Sequence, residues 1–140
     1  LQHSIFKIVD LDEAWAFLNV AQGETLSNKL VRAGRAMNAG VYFVTQSSGD
    51  VSKESLKNNI GLKFAFRSTD TNEIKQTLEF FGLDSEDENN QKRLRDLENG
   101  QCLMQDLYGR VGVVQIHPVF VELLHAFDTR PPIKSEVDLE

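Results

Sequence analysis

The sequence predicts an α/β fold, a mainly parallel sheet with an antiparallel hairpin near its C-terminal end and a closing helix. Three observations predict it. Short apolar runs alternate with helix-period segments, the order that builds a parallel sheet. The run at 41–45 lacks polar alternation, as a parallel strand covered on both faces does. Past residue 100, two further runs flank Tyr108-Gly109-Arg110, which reads as a hairpin turn.

Residues 4–9 (SIFKIV) run into the acids Asp10, Asp12 and Glu13 and read as a buried strand. Residues 14–18 are apolar and suit a short helix; residues 19–24, with Gly23, suit a loop. Over 25–38, Leu26, Leu30, Ala33 and Met37 fall at i, i+4, i+7 and i+11, one face of a helix that Gly40 ends. Residues 41–45 (VYFVT) are the second strand, 46–52 a polar loop, 53–58 a short helix and 62–66 (LKFAF) the third strand. Asp70 with Glu73 makes a capping box. The helix it opens turns Ile74, Leu78 and Phe81 inward and stops at Gly82. Residues 84–90 are acidic and predicted exposed, helix resumes over 92–97, and Asn99-Gly100 marks a turn. Residues 101–107 and 111–117 are the hairpin strands. Phe120, Leu123, Leu124 and Phe127 predict a last amphipathic helix that packs back on the core. Residues 130–140, with Pro131-Pro132 and mixed charge, read as a loose tail.

Composition narrows the classes of function. The 140 residues, 41% of them hydrophobic, suffice for one core without staples. Fifteen basic residues against 21 acidic ones leave a net charge of −6, which argues against a free-standing nucleic-acid binder with a wholly basic surface. Cys102 is the single cysteine, so an intrachain disulfide and a zinc cage are excluded, and a reducing, cytoplasmic compartment is expected. No apolar run is long enough for a membrane span. The chain opens on Leu1 with a strand pattern almost at once, and reads as a segment of something longer.

Three features carry chemistry. Asp12 and Glu13 follow an apolar strand, at the end where open α/β sheets bind ligands. One acid can hold Mg²⁺ beside phosphate oxygens, and its neighbour can take a proton from water. The alternative is that these acids only end a strand and cap the next helix. Arg32 and Arg35 lie roughly opposite the stripe of Leu26, Leu30, Ala33 and Met37. They are either a solvated face or arginines offered across a subunit boundary to a developing phosphate charge. Gln46 follows the second strand, where a side-chain amide can orient a water or sense a γ-phosphate. Together the three have the layout of a RecA-like nucleotide-hydrolysing core, with the acid pair as its Walker B element.

Asp12-Glu13-Ala14-Trp15, then Leu30-Val31-Arg32-Ala33-Gly34-Arg35-Ala36-Met37-Asn38, then Val44-Thr45-Gln46, resemble the large ATPase of conjugative type IV secretion systems, in the variety carried by conjugative elements of Gram-positive bacteria. Leu97-Glu98-Asn99-Gly100-Gln101-Cys102-Leu103 and Tyr108-Gly109-Arg110 are similar to that family's closing hairpin, and the resemblance covers roughly residues 4–127. It implies ATP and Mg²⁺ as ligands, with Asp12 in the metal shell, Glu13 activating the attacking water and Gln46 sensing the γ-phosphate. It implies Arg35 as the first choice for an arginine finger in trans and Arg32 as the second, with Arg67 and Arg110 as weaker candidates near the nucleotide edge. It also implies a ring oligomer, expected to be a hexamer, other secretion components and DNA as partners, and a place at the cytoplasmic face of the membrane.

One departure stands out. The chain contains no G-x-x-x-x-G-K-[ST] phosphate loop, which in the family lies upstream of the acid pair. Residues 1–117 are therefore expected to be the C-terminal half of a RecA-like P-loop core lacking its Walker A half, and 118–140 an added helix and tail. The resemblance also places the missing strand between those at 41–45 and 62–66. The sheet is expected to close that gap locally or to have it filled by another chain, and the isolated chain is expected not to hydrolyse ATP. Competing readings are a coupling-protein or chromosome-translocase motor, a non-catalytic RecA-like interaction module, and an aspartate-based phosphatase built on Asp10-Leu11-Asp12.

Overall fold

The computed structural model describes residues 5–47, 49, 58–126 and 128. The acids after the first apolar run do not all lie beyond the first strand. β1 (Lys7–Leu11) takes in Asp10 and pairs in parallel with β2 (Ala39–Phe43), Lys7 opposite Ala39 and Leu11 opposite Phe43. α1 (Ala14–Leu18) falls where the sequence predicts it. α2 (Ala21–Met37) starts inside the expected loop. Gly23 permits this, because a Cβ there would collide with the carbonyl oxygen of Phe17 in α1. α2 ends at Asn38, whose φ of 49° lies in the left-handed region that asparagine tolerates. Gly40, expected to stop the helix, sits within β2.

The predicted inner stripe of α2 is displaced around the helix. Leu26 and Met37 are 48% and 46% exposed, whereas Gly23, Ser27 and Gly34 are buried. Small residues win this face because the α2 backbone runs close against α1 and β2.

β3 (Lys63–Ala65) pairs antiparallel with β4 (Gln101–Gln105), and β4 antiparallel with β5 (Val111–Gln115). The expected mainly parallel sheet is thus replaced by two sheets, β1–β2 parallel and β3–β4–β5 antiparallel. Among the described residues no pairing of β2 with β3 closes the anticipated gap. The strand expected to be covered on both faces is covered on one, with Tyr42 53% exposed, and Ile8, on the neighbouring strand read as buried, is 58% exposed.

α3 (Thr71–Phe81) carries the best-formed caps. The Asp70 carboxylate accepts from the Glu73 N–H at 2.8 Å. At the other end Gly82, at φ 73°, lets its own N–H bond Glu79 and the Leu83 N–H bond Leu78. Ile74, Leu78 and Phe81 are buried, as their spacing predicts. The last carbonyls of α3 are taken by a cross-strand pair. Lys63 Nζ donates to Phe80 O at 2.8 Å, and its partner Gln105 donates through Nε2 to Phe81 O at 3.1 Å.

α4 (Glu88–Arg95) begins within the acidic segment predicted exposed, ahead of the helix expected over 92–97. Asp87 caps it through the Asn89 N–H, Glu88 lies in its first turn, and Lys92, Arg93 and Arg95 lie in its last, all favourable to the helix dipole. One hydrophobic cluster joins Ala14 and Leu18 to Ile74, Leu78, Phe80, Phe81, Leu94, Leu97 and Leu103, with Leu11, Phe43 and Ala65 packed against it. Both sheets therefore share one core.

α5 (Val121–Ala126) forms but does not pack back, and none of its residues is buried. It is a six-residue helix that follows the outermost strand of its sheet, and Phe120 beside it is 65% exposed. The helix predicted over 53–58 lies, but for Asn58, outside the described residues, as do Phe127 and the tail at 130–140. Among the described residues no helix is long and apolar enough to cross a membrane.

The hairpin turn is built around Asp106, whose carboxylate accepts from the N–H groups of Tyr108 and Arg110 and from Arg110 Nε at 2.6 Å. The Arg110 guanidinium lies 5.4 Å from the centre of the Tyr108 ring. Loss of water pushes the Asp106 carboxyl up, but the Arg110 and Tyr108 hydrogen bonds and the Arg110 charge hold it below its ordinary value. The turn's contribution is therefore full above the ordinary aspartate pKa and lost as pH falls through the depressed one. In an acid titration followed by NMR, the Tyr108 and Arg110 amides will move with a midpoint below about 3.9, and Arg110→Gln will raise that midpoint. Among the described residues the buried Ser27 hydroxyl has no hydrogen-bond partner. Ser27→Ala removes an unpaired buried group and will raise the unfolding free energy by about 1 kcal/mol, measurable by denaturant melts.

Candidate functional site

The turn between β1 and α1 holds Asp12 and Glu13. Glu13 has φ 52°, the left-handed region, which for a residue with a Cβ costs on the order of 1–3 kcal/mol and persists only where surrounding bonds impose it. Those bonds are present. The Glu13 N–H donates to Asp12 Oδ1 at 3.0 Å, and the Ala16 N–H to the Glu13 carbonyl at 3.0 Å. Beyond the last strand pair, the Val44 N–H bonds Leu11 and the Ala14 N–H bonds the Val44 carbonyl. The ends of β1 and β2 are thereby stitched together around the acid pair.

That stitching delivers Gln46 to the same place. β2 ends at Phe43 rather than directly before Gln46, yet the chain past Val44 carries the amide across to the acids. Gln46 Nε2 donates to Glu13 Oε1 at 2.9 Å, between residues 33 positions apart. Both side chains are exposed. The structure thus brings Asp12, Glu13 and Gln46 together. A water beside Glu13 could give its proton to the carboxylate, one oxygen of which accepts from the Gln46 amide.

Mg²⁺ chemistry can be tested against the same residues. Among the described residues no three His, Cys, Asp or Glu side chains cluster as metal ligands. Mg²⁺ takes only one or two carboxylates beside waters and phosphates. Asp12 fits that role, since Oδ1 accepts from the Glu13 N–H while Oδ2 has no hydrogen bond among the described residues.

The arginines are not drawn into this cluster. Arg32 is exposed on α2, roughly opposite the buried Gly23, Ser27 and Gly34. Arg35 lies in α2, and its side chain is outside the described residues. Arg67 is exposed after β3 and makes no hydrogen bond or ion pair among the described residues. Arg110 is held by Asp106 in the hairpin turn.

Two residues at the site were not anticipated. Ser47 Oγ donates to Glu73 Oε2 at 2.9 Å, accepts from the Gly49 N–H at 3.2 Å, and follows an N–H that bonds Thr45 Oγ1. Glu73 was expected to reach back to its own helix cap. A contact spanning 26 positions leaves no local pattern, so nothing in the sequence could have paired it with Ser47.

A family model described as an AAA-like domain matches residues 1–127. The uncharacterized protein YddE of Bacillus subtilis (strain 168) is 34% identical over 119 residues, which cover 85% of this chain. The chain spans 14% of the length of that relative. The matched region takes in the Asp12, Glu13 and Gln46 cluster, both sheets and α5, and on that extent the chain belongs to the AAA-like domain family.

Proposed function

We propose that this chain supplies the hydrolytic half of a Mg²⁺-dependent ATPase motor site, in a protein that energises conjugative DNA transfer or type IV secretion. The observation that carries the reading is the 2.9 Å hydrogen bond from Gln46 to Glu13 at the stitched ends of two parallel strands, within an AAA-like domain. Glu13 accepts the proton of the attacking water, and Gln46 orients that carboxylate and meets the γ-phosphate. Asp12 would hold the Mg²⁺ shell. Bound Mg²⁺ supplies neutralising charge at the phosphate oxygens. The phosphate loop comes from outside these 140 residues, which lack its motif, and the chain alone hydrolyses no ATP. The assembly is a ring, expected to be a hexamer, at the cytoplasmic face of the membrane, and Arg35 on α2 reaches the neighbouring subunit's nucleotide.

In the full-length gene product, Glu13→Gln will leave nucleotide binding intact and lower turnover by roughly 10²–10⁴. Phosphate release and calorimetric binding measure the two halves of that statement, and unchanged turnover in an intact oligomer removes Glu13 from the role. Arg35→Ala will abolish hydrolysis with little loss of nucleotide affinity. Mixing it with Glu13→Gln subunits will recover part of the activity at hybrid interfaces. Recovery with Arg32→Ala in place of Arg35→Ala would make Arg32 the finger.

A further inference from the structure

The amide that orients Glu13 sits on a loop with two anchors. On one side, Val44 is bonded by its N–H to Leu11 and by its carbonyl to the Ala14 N–H. On the other, Ser47 is bonded by its hydroxyl to Glu73. Gln46 lies between them and is exposed. The first anchor belongs to the β1–β2 sheet that carries the acids. The second belongs to α3, whose buried stripe is part of the shared core.

Glu73 is well placed to be a fixed point. Its own N–H is capped by Asp70, it lies in the first turn of α3 where the helix dipole favours a carboxylate, and it is half-buried, as is Ser47. A hydroxyl-to-carboxylate bond of 2.9 Å is charge-assisted and stronger than a neutral pair. The Gly49 N–H donates to the same hydroxyl, which orients its proton toward Glu73.

We propose that Ser47 and Glu73 are a positioning pair for the hydrolytic carboxylate. Glu73 holds Ser47, Ser47 fixes the loop, and the loop sets where Gln46 holds Glu13. The proposal rests on the ATPase reading for its consequence in turnover, though not for its structural half. Loss of the pair lets Gln46 swing and leaves Glu13 misdirected, while the groups that hold nucleotide are untouched. Small misplacements of a reacting group cost roughly 10²-fold in rate.

The test has two readouts. In the 140-residue chain, the side-chain amide of Gln46 is followed by ¹H–¹⁵N NMR with and without the substitution Glu13→Gln. The wild-type amide is expected to shift on Glu13→Gln, the Ser47→Ala chain to lose that response, and the Ser47→Thr chain to keep it. In the full-length gene product, Ser47→Ala is expected to lower kcat by roughly 10- to 100-fold with KM for ATP unchanged. Glu73→Gln should act in the same direction, and the double variant should be no worse than Ser47→Ala. A Gln46 amide that responds to Glu13 equally in wild type and Ser47→Ala overturns the proposal alone, whatever the activity. A fall in kcat that is fully additive in the double variant also overturns it. A wild-type product that binds and hydrolyses no ATP overturns the ATPase reading, and with it the kinetic half of the proposal.

Discussion

The arrangement depends on the buried stripe of α3. Ile74, Leu78 and Phe81 lie in the hydrophobic cluster that also holds Ala14, Leu18 and Leu103, with Phe43 and Ala65 packed against it. β1–β2 and β3–β4–β5 share no strand pairing among the described residues, and this shared cluster takes in residues from both sides. The helix is correspondingly well finished. Asp70 and Gly82 close its ends, and Lys63 and Gln105 take its last carbonyls. The Lys63 ammonium also lies 4.5 Å from the centre of the Phe80 ring, a favourable cation–π distance.

Stability is unevenly spread about that helix. Around α3, α4 and β4 the fully buried side chains include Ile74, Leu78, Leu94 and Cys102, whereas from residue 5 to 47 they are Ala14, Leu18 and Ser27, the last with a hydroxyl unpaired among the described residues. Regions with few buried apolar contacts open first. The acids and Gln46 belong to the weaker part, and the Ser47–Glu73 bond ties that part to the stronger one.

The elements that could be read from the sequence are those whose signals are local. The capping box at Asp70, the inner stripe of Ile74, Leu78 and Phe81, the Gly82 stop and the hairpin around Gly109 all rest on neighbours within one or two turns. The face of α2 could not be read that way. Its apolar residues mark one stripe, but the close approach of α1 and β2 selects the stripe of glycines and Ser27 instead. The start of α4 was hidden because a run of acids reads as an exposed segment until Asp87 is seen capping a helix. Sheet organisation was legible strand by strand but not in pairing, since β3 has an antiparallel partner almost forty residues further along the chain. At the site, Asp12, Glu13 and Gln46 meet at the ends of β1 and β2. The link through Ser47 depends on tertiary proximity alone.

The left-handed backbone of Glu13 has a consequence for how this position tolerates change. Glycine would occupy φ 52° without a Cβ conflict, and asparagine or aspartate at smaller cost than most residues. A library selected for thermal resistance alone would therefore enrich Gly and Asn at position 13. Under the proposed hydrolytic role, a library of the full-length protein selected for hydrolysis would be driven back to Glu, because a carboxylate of that length meets Gln46. Enrichment in opposite directions under the two selections is the signature of a residue kept for chemistry at the expense of stability.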